Sequence, residues 1–176
     1  MSKGENVVRV SGYALVLGDN IDTDTIIPST YLHLTSPQEL AKGVFANTPS
    51  LKKALESTKK PIIIVAGKGF GYGSSREHAA IALRAAGVAA ILAISFHRIF
   101  YRNAINNGLL AIEIPTELYR EVKNGDYIEI EISSTMGSIS IGNKTYRVKP
   151  LPKRVLEILQ LGGIHEILKQ LARAKT

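Results

Sequence analysis

The chain contains no cysteine. Disulfides, a thiolate nucleophile and thiolate ligation of zinc or of an iron–sulfur cluster are therefore excluded from its own side chains. Histidine is scarce too: the four are His33, His78, His97 and His165. No two of them stand at a metal-site spacing such as H-x3-H, so no self-contained metal site is expected. No stretch approaches the roughly 18 apolar residues that span a membrane. No internal repeat, low-complexity tract or linker interrupts the chain. One domain over residues 1–176 is expected, with a helical segment at about 152–174. The opening Met1-Ser2-Lys3-Gly4-Glu5-Asn6 leads into no apolar signal segment, so the expected location is cytoplasmic.

Among its 176 residues, 45% are hydrophobic and 21% charged, as in an ordinary globular fold. The net charge of +7 raises the question of nucleic acid. The positive residues are scattered, however, and cluster only in pairs such as Lys52-Lys53 and Lys59-Lys60. No RNA-recognition or zinc-finger pattern accompanies them. Such a field suits anionic small molecules or an acidic partner protein equally well.

Period and punctuation predict the elements. Val7 to Leu17 reads as strand, with a bend or bulge at Gly12. A polar, turn-rich loop, Gly18 to Pro28, follows. Ser36-Pro37-Gln38-Glu39 reads as the start of a short helix ending near Gly43, and 49–60 as a connector or short helix. The centre is a βαβ pattern: strand Ile62–Ala66, helix Ser75–Ala86, Gly87 as its stop, strand Val88–Ile94. A helix over Ile99–Asn107, a strand over Leu109–Ile114 and a short helix over Thr116–Lys123 come next. Strands over Tyr127–Ile132, Ser138–Ile141 and Thr145–Val148 follow, with a hairpin at Gly142-Asn143. The last helical segment, from Val155, breaks at Gly162-Gly163. Its apolar spacing suits core or subunit contact.

The segment that speaks of chemistry is Gly67-Lys68-Gly69-Phe70-Gly71-Tyr72-Gly73-Ser74-Ser75-Arg76-Glu77-His78. Glycines at 67, 69, 71 and 73 permit positive φ and close approach of a ligand. A helix start offers free N–H groups and partial positive charge to an anion. A dinucleotide fingerprint fails in every frame, because positions 72, 74 and 76 are Tyr, Ser and Arg. The phosphate-loop pattern fails because Ile62 stands where its first glycine is needed. No G-x-S-x-G elbow is present for a hydrolase. A plain capping box, Ser74 with Glu77, explains one serine and the glutamate. It does not explain Arg76, a cation at the positive end of a helix dipole. A site for a carboxylate or phosphate is the reading that does. Ser74 beside arginine then has the support it needs to act as a base.

Three segments together resemble the swivelling domain of the aconitase superfamily. They are Gly18 to Pro28 with Tyr31-Leu32, Gly67 to His78, and Ile94 to Leu110. The likeness spans about residues 7–165 and is to the stand-alone small subunits of isopropylmalate dehydratase and homoaconitase. It implies an α/β fold of the single-domain β/β/α swivelling type. It implies a hydro-lyase that moves a hydroxyl between adjacent carbons of a malate-type acid, in leucine biosynthesis for the isopropylmalate branch. It also implies a [4Fe–4S] cluster on a separate iron–sulfur large subunit, with no cofactor on this chain, no nucleic acid and no membrane. Ser74 is implied as the base and Asp24 as a catalytic-site aspartate. Ser75 and Arg76 are implied to hold substrate carboxylate. Residues 31–36 occupy the position of the substrate-selecting loop, so His33 and Leu34 are candidate contacts. Isopropylmalate, homocitrate and citramalate branches stay open, as does a non-catalytic module that only captures a carboxylate or phosphate.

Overall fold

In a computed structural model of the chain, residues 6–173 are described. The strands are β1 (Val8–Val16), β2 (Ile62–Ala66), β3 (Val88–Ala93), β4 (Leu110–Glu113), β5 (Tyr127–Ile132), β6 (Gly137–Ile141) and β7 (Lys144–Val148). The helices are α1 (Thr23–Ile26), α2 (Pro37–Lys42), α3 (Pro49–Ser57), α4 (His78–Ala85), α5 (Arg98–Asn106), α6 (Thr116–Glu121), α7 (Lys153–Gln160) and α8 (Ile164–Arg173), with a 3-10 turn at Ser29–Tyr31. The strands form one sheet in the order β4-β3-β2-β1-β5-β6-β7. β1 to β4 run parallel, and β5, β6 and β7 are added antiparallel beside β1. The expected α/β class is therefore what the chain adopts.

β2 explains the layering. Its run Ile-Ile-Ile-Val-Ala is buried throughout, because a strand covered on both faces needs no polar alternation. Ile62, Ile64 and Ala66 pack with Ala80 and Leu83 of α4, Phe100 of α5 and Leu40 of α2. Ile63 and Val65 point the other way, to Leu118 of α6, Leu156 of α7 and Ile130 of β5. The catalytically suggestive loops leave the sheet where β1, β2 and β3 end together, the usual place for a ligand in a parallel sheet.

Three expectations need correction. Gly12 marks no bulge: the ladder from β1 to β5 runs unbroken through Ser11, Gly12 and Tyr13. The glycine instead admits the Pro61 carbonyl, which a Cβ would meet at 2.3 Å. The central helix begins at His78, not Ser75, for reasons given below. The terminal segment splits into core and surface: Leu156 of α7 is buried, whereas Leu168 and Leu171 of α8 are exposed. Ala174 lies outside the described residues, as do Met1 to Glu5. Among the described residues no helix is long and apolar enough to cross a membrane.

Candidate active site

The parallel pairing of β1 with β2 does not stop where the strands do. Leu17 N–H donates to Val65 C=O at 2.8 Å, and Gly67 N–H to Gly18 C=O at 3.1 Å. Asn20 N–H donates to Lys68 C=O at 2.7 Å, Gly71 N–H to Ile21 C=O at 2.7 Å, and Thr23 N–H to Tyr72 C=O at 2.8 Å. Two polar loops are thus zipped side by side out to residue 23. This close lie is what the alternating glycines serve. A Cβ on Gly67 would sit 1.8 Å from the Asp19 carboxylate, which accepts the Lys68 N–H at 2.7 Å. Gly71 has φ +82° and would drive a Cβ to 2.2 Å from the Phe100 ring. Cβ atoms on Gly69 and Gly73 would likewise meet Asn20 and Thr23. The close approach expected of a ligand is made by the chain itself.

The loop is fixed from its other side by the segment after β3. Phe70 N–H donates to Ser95 C=O at 3.0 Å, and His97 N–H to Phe70 C=O at 2.9 Å. The Phe70 ring meets Phe96 and Phe100 edge-on, with centroids 6.0 and 5.2 Å apart. Asn103 of α5 donates through Nδ2 to Ser75 C=O at 2.8 Å.

These contacts explain the late start of α4. Ser74 N–H donates to Thr23 Oγ1 at 2.8 Å, and Asn103 occupies the Ser75 carbonyl, so residues 74–76 are held out of the helix. Ser74 Oγ accepts from Arg76 N–H at 3.3 Å, a local turn and not a helix cap. Glu77 is the N-cap residue and makes no side-chain capping bond, so the capping box is not formed. Arg76 precedes the helix and does not sit in its first turn. The first helical carbonyl to accept is Glu77, from Ile81 N–H at 3.1 Å. The N–H groups of His78, Ala79 and Ala80 therefore point back toward residues 74–77.

One small cleft collects Thr23, Asp24, Ile27, Leu32, Ser74, Arg76, His78 and Ala79. It encloses only about 10 Å³, room for about one water. Of the residues singled out in the sequence, Ser74, Arg76 and Asp24 are brought together there. Ser75 does not line it; its side chain is exposed. His33 and Leu34 do not line it either. His33 is exposed, Leu34 packs against the core, and Leu32 takes the position facing the cleft. The Arg76 guanidinium is exposed and forms no ion pair among the described residues. Arg98 lines a separate groove of about 380 Å³ with Phe96, Tyr101, Glu113 and Lys149. A groove of about 460 Å³ near Arg84 and Gly162 is remote from Ser74 in its lining.

Beside the cleft, Asp22 caps α1, its Oδ1 accepting Thr25 N–H at 2.5 Å. Partial burial pushes this carboxyl up. The bonds from Thr25, from the Tyr72 hydroxyl and from Asp24 N–H outweigh that and hold it below its usual range. The same bond to Asp22, together with its charge and some desolvation, pushes the Tyr72 hydroxyl up. Sequence reasoning singles out neither Thr23 nor His78. Thr23 lies 51 positions from its partner Ser74, and nothing local pairs them.

The Aconitase C-terminal domain family matches residues 19–117, which hold every residue of the cleft. A 3-isopropylmalate dehydratase small subunit of Saccharolobus islandicus is 49% identical over 162 residues, covering 92% of this chain and 95% of that one. One from Thermodesulfovibrio yellowstonii is 44% identical over 164 residues, covering 93% and 95%. The crystal structure of a 3-isopropylmalate dehydratase from Methanocaldococcus jannaschii matches with a TM-score of 0.76 at 41% identity, over 96% of this chain and 99% of that one. Aconitase X of Thermococcus kodakaraensis matches with a TM-score of 0.51 at 13% identity, over 79% and 95%, which is a likeness of fold alone.

Proposed function

The chain belongs to the aconitase C-terminal domain family, and from that premise we propose that it works as the small subunit of a 3-isopropylmalate dehydratase. It is a hydro-lyase subunit of leucine biosynthesis and acts with a large subunit. The observation that carries the reading is the convergence of Ser74, Arg76 and Asp24, from two distant loops, on one cleft too shallow to enclose an acid by itself. A second wall has to come from the partner. We take the chain to be a single domain that docks as a unit, in the cytoplasm.

In this reading Ser74 reacts as its alkoxide, its own proton having left to solvent, and the oxygen takes the proton from the substrate carbon next to the one that loses hydroxyl. Negative charge on that oxygen is supported by the first-turn amides of α4 and by the Arg76 guanidinium. Arg76 grips a substrate carboxylate with its planar fork, and Ser75 adds a hydroxyl once the partner closes over it. Asp24 accepts a hydrogen bond from the substrate's hydroxyl end. An iron–sulfur cluster on the large subunit would supply the Lewis acid for the departing hydroxyl. This chain does not fit such a cluster, having no cysteine, and among the described residues no three candidate ligands converge.

For selectivity, residues 31–36 offer apolar surface at Leu32 and no permanent cation. Burying an isopropyl group contributes about 1–3 kcal/mol, while a distal carboxylate placed there unpaired is penalised by desolvation. The test is kcat/KM of the assembled enzyme on 3-isopropylmalate, citramalate and homocitrate, at about pH 6 to 8, in wild type and His33→Arg. We expect isopropylmalate to lead in wild type and homocitrate to gain in the variant. A wild type that prefers homocitrate at neutral pH overturns the assignment, and a preference that switches as pH falls makes protonated His33 the selector.

A further inference from the structure

His78 is the first residue of α4 and lines the cleft with Ser74, Arg76 and Asp24. Its Nδ1 is buried and has no hydrogen-bond partner in the protein, the one such side-chain atom found among the described residues. Buried polar atoms are nearly always partnered, because losing water without gaining a bond costs stability. The neighbouring polar groups are suggestive. Thr23 Oγ1 is engaged by Ser74 N–H, Ser74 Oγ accepts a long bond from Arg76 N–H, and among the described residues the Ser74 O–H hydrogen is given no acceptor. The cleft has room for about one water, and Ser74, Asp24 and His78 are among the polar residues that line it.

Resting on the dehydratase reading, we propose that His78 is a positioning residue: its Nδ1 accepts a hydrogen bond from a single water that in turn accepts from the Ser74 hydroxyl. In the resting chain, with Ser74 protonated, this link sets the serine rotamer, so that its oxygen already faces the substrate carbon when the proton leaves and the large subunit closes over the cleft. His78 moves no proton in the reaction and touches no reacting atom.

His78→Leu and His78→Asn, each assembled with the large subunit, test this. Leucine fills the space without the polar atom. It is expected to leave the isolated chain as stable or more stable, to keep KM, and to lower kcat about 10- to 100-fold through misplacement of the base. Asparagine places a polar atom close to the position of Nδ1 and is expected to retain kcat within about threefold, because it restores the same single contact. A readout independent of turnover is the ¹⁵N resonance of Nδ1 in the isolated chain, which should shift between wild type and Ser74→Ala. A Leu variant with wild-type kcat, or an Asn variant that folds normally but turns over as slowly as Leu, overturns the proposal, as does an Nδ1 resonance indifferent to Ser74. If the Leu variant fails to fold, the Asn variant and the resonance decide. An assembled wild type that turns over no malate-type acid, with the resonance shifted as expected, would fail the functional reading and leave this link standing.

Discussion

Replacing Gly71 by alanine separates two costs that the glycine loop hides. The first is backbone strain at φ +82°, about 1–2 kcal/mol for an L residue. The second is the collision of the new Cβ with Phe100, whose Cγ, Cβ and Cδ1 would stand at 2.2, 2.5 and 2.7 Å. Phe100 is buried, meets Phe70 edge-on and stacks on Phe96, so it has little room to yield. Overpacking of this kind costs about 1–3 kcal/mol. The sum is about 2–5 kcal/mol, a large part of the roughly 5–15 kcal/mol that holds a domain. For a chain of this size, that lowers the melting temperature by about 4–20 °C. Gly125→Ala is the control. Its φ is +86°, yet nothing lies within 4 Å of the new Cβ, so it bears the strain alone. Thermal unfolding of the two isolated variants by circular dichroism gives the difference directly. We expect Gly71→Ala to melt several degrees lower, and also to lose turnover after assembly, because Ser74 lies three residues on. Equal melting of the two variants would refute the reasoning, since Phe100 would then be giving way freely.

Ser74→Ala is expected to abolish turnover of the assembled enzyme, by about 10²–10⁴-fold or more if the oxygen is the base. Its melting temperature should barely move, because the serine's 3.3 Å bond caps no helix; an early-melting variant with normal kcat makes its role structural. Thr23→Val removes the acceptor of the Ser74 N–H and should cost about 0.5–1.5 kcal/mol of stability with a lower kcat; an unchanged melting curve argues that residue 74 needs no such tether. Arg76→Lys should raise KM strongly, since lysine offers no fork to a carboxylate, and unchanged kinetics would count against carboxylate binding there. The Asp22 carboxyl is held below its ordinary value of 3.8, so its stabilising contribution is present above that pH and is lost as pH falls through the lower, folded value. The stability gap between wild type and Asp22→Asn, from urea unfolding, should therefore be constant near neutrality and shrink in acid; a gap that widens in acid reverses the sign.

Much of the architecture is written locally. β2 is met residue for residue, because a run of β-branched side chains closed by glycine has few other fates. The hairpin at Gly142-Asn143 and the stop at Gly87 follow from turn chemistry, and both glycines have positive φ. Of the candidate cleft, three residues are legible in the sequence and their contacts are not. Ser74, Arg76 and Asp24 do converge. The helix start was misjudged because Thr23 and Asn103, 51 and 28 positions from their partners, outbid a local capping pattern. Leu32, not Leu34, faces the cleft because the 3-10 turn at 29–31 rotates the loop, a twist that no periodicity announces.

The ladder that runs on past β1 and β2 has a mechanical consequence. Asp24, in α1, and Ser74, at the end of the glycine loop, follow two segments joined by backbone bonds from residues 20, 23, 67 and 71. In the proposed assembly, any movement of this chain against a large subunit carries both residues together. Their mutual alignment is then fixed at folding, and only their shared angle to the substrate is left to assembly.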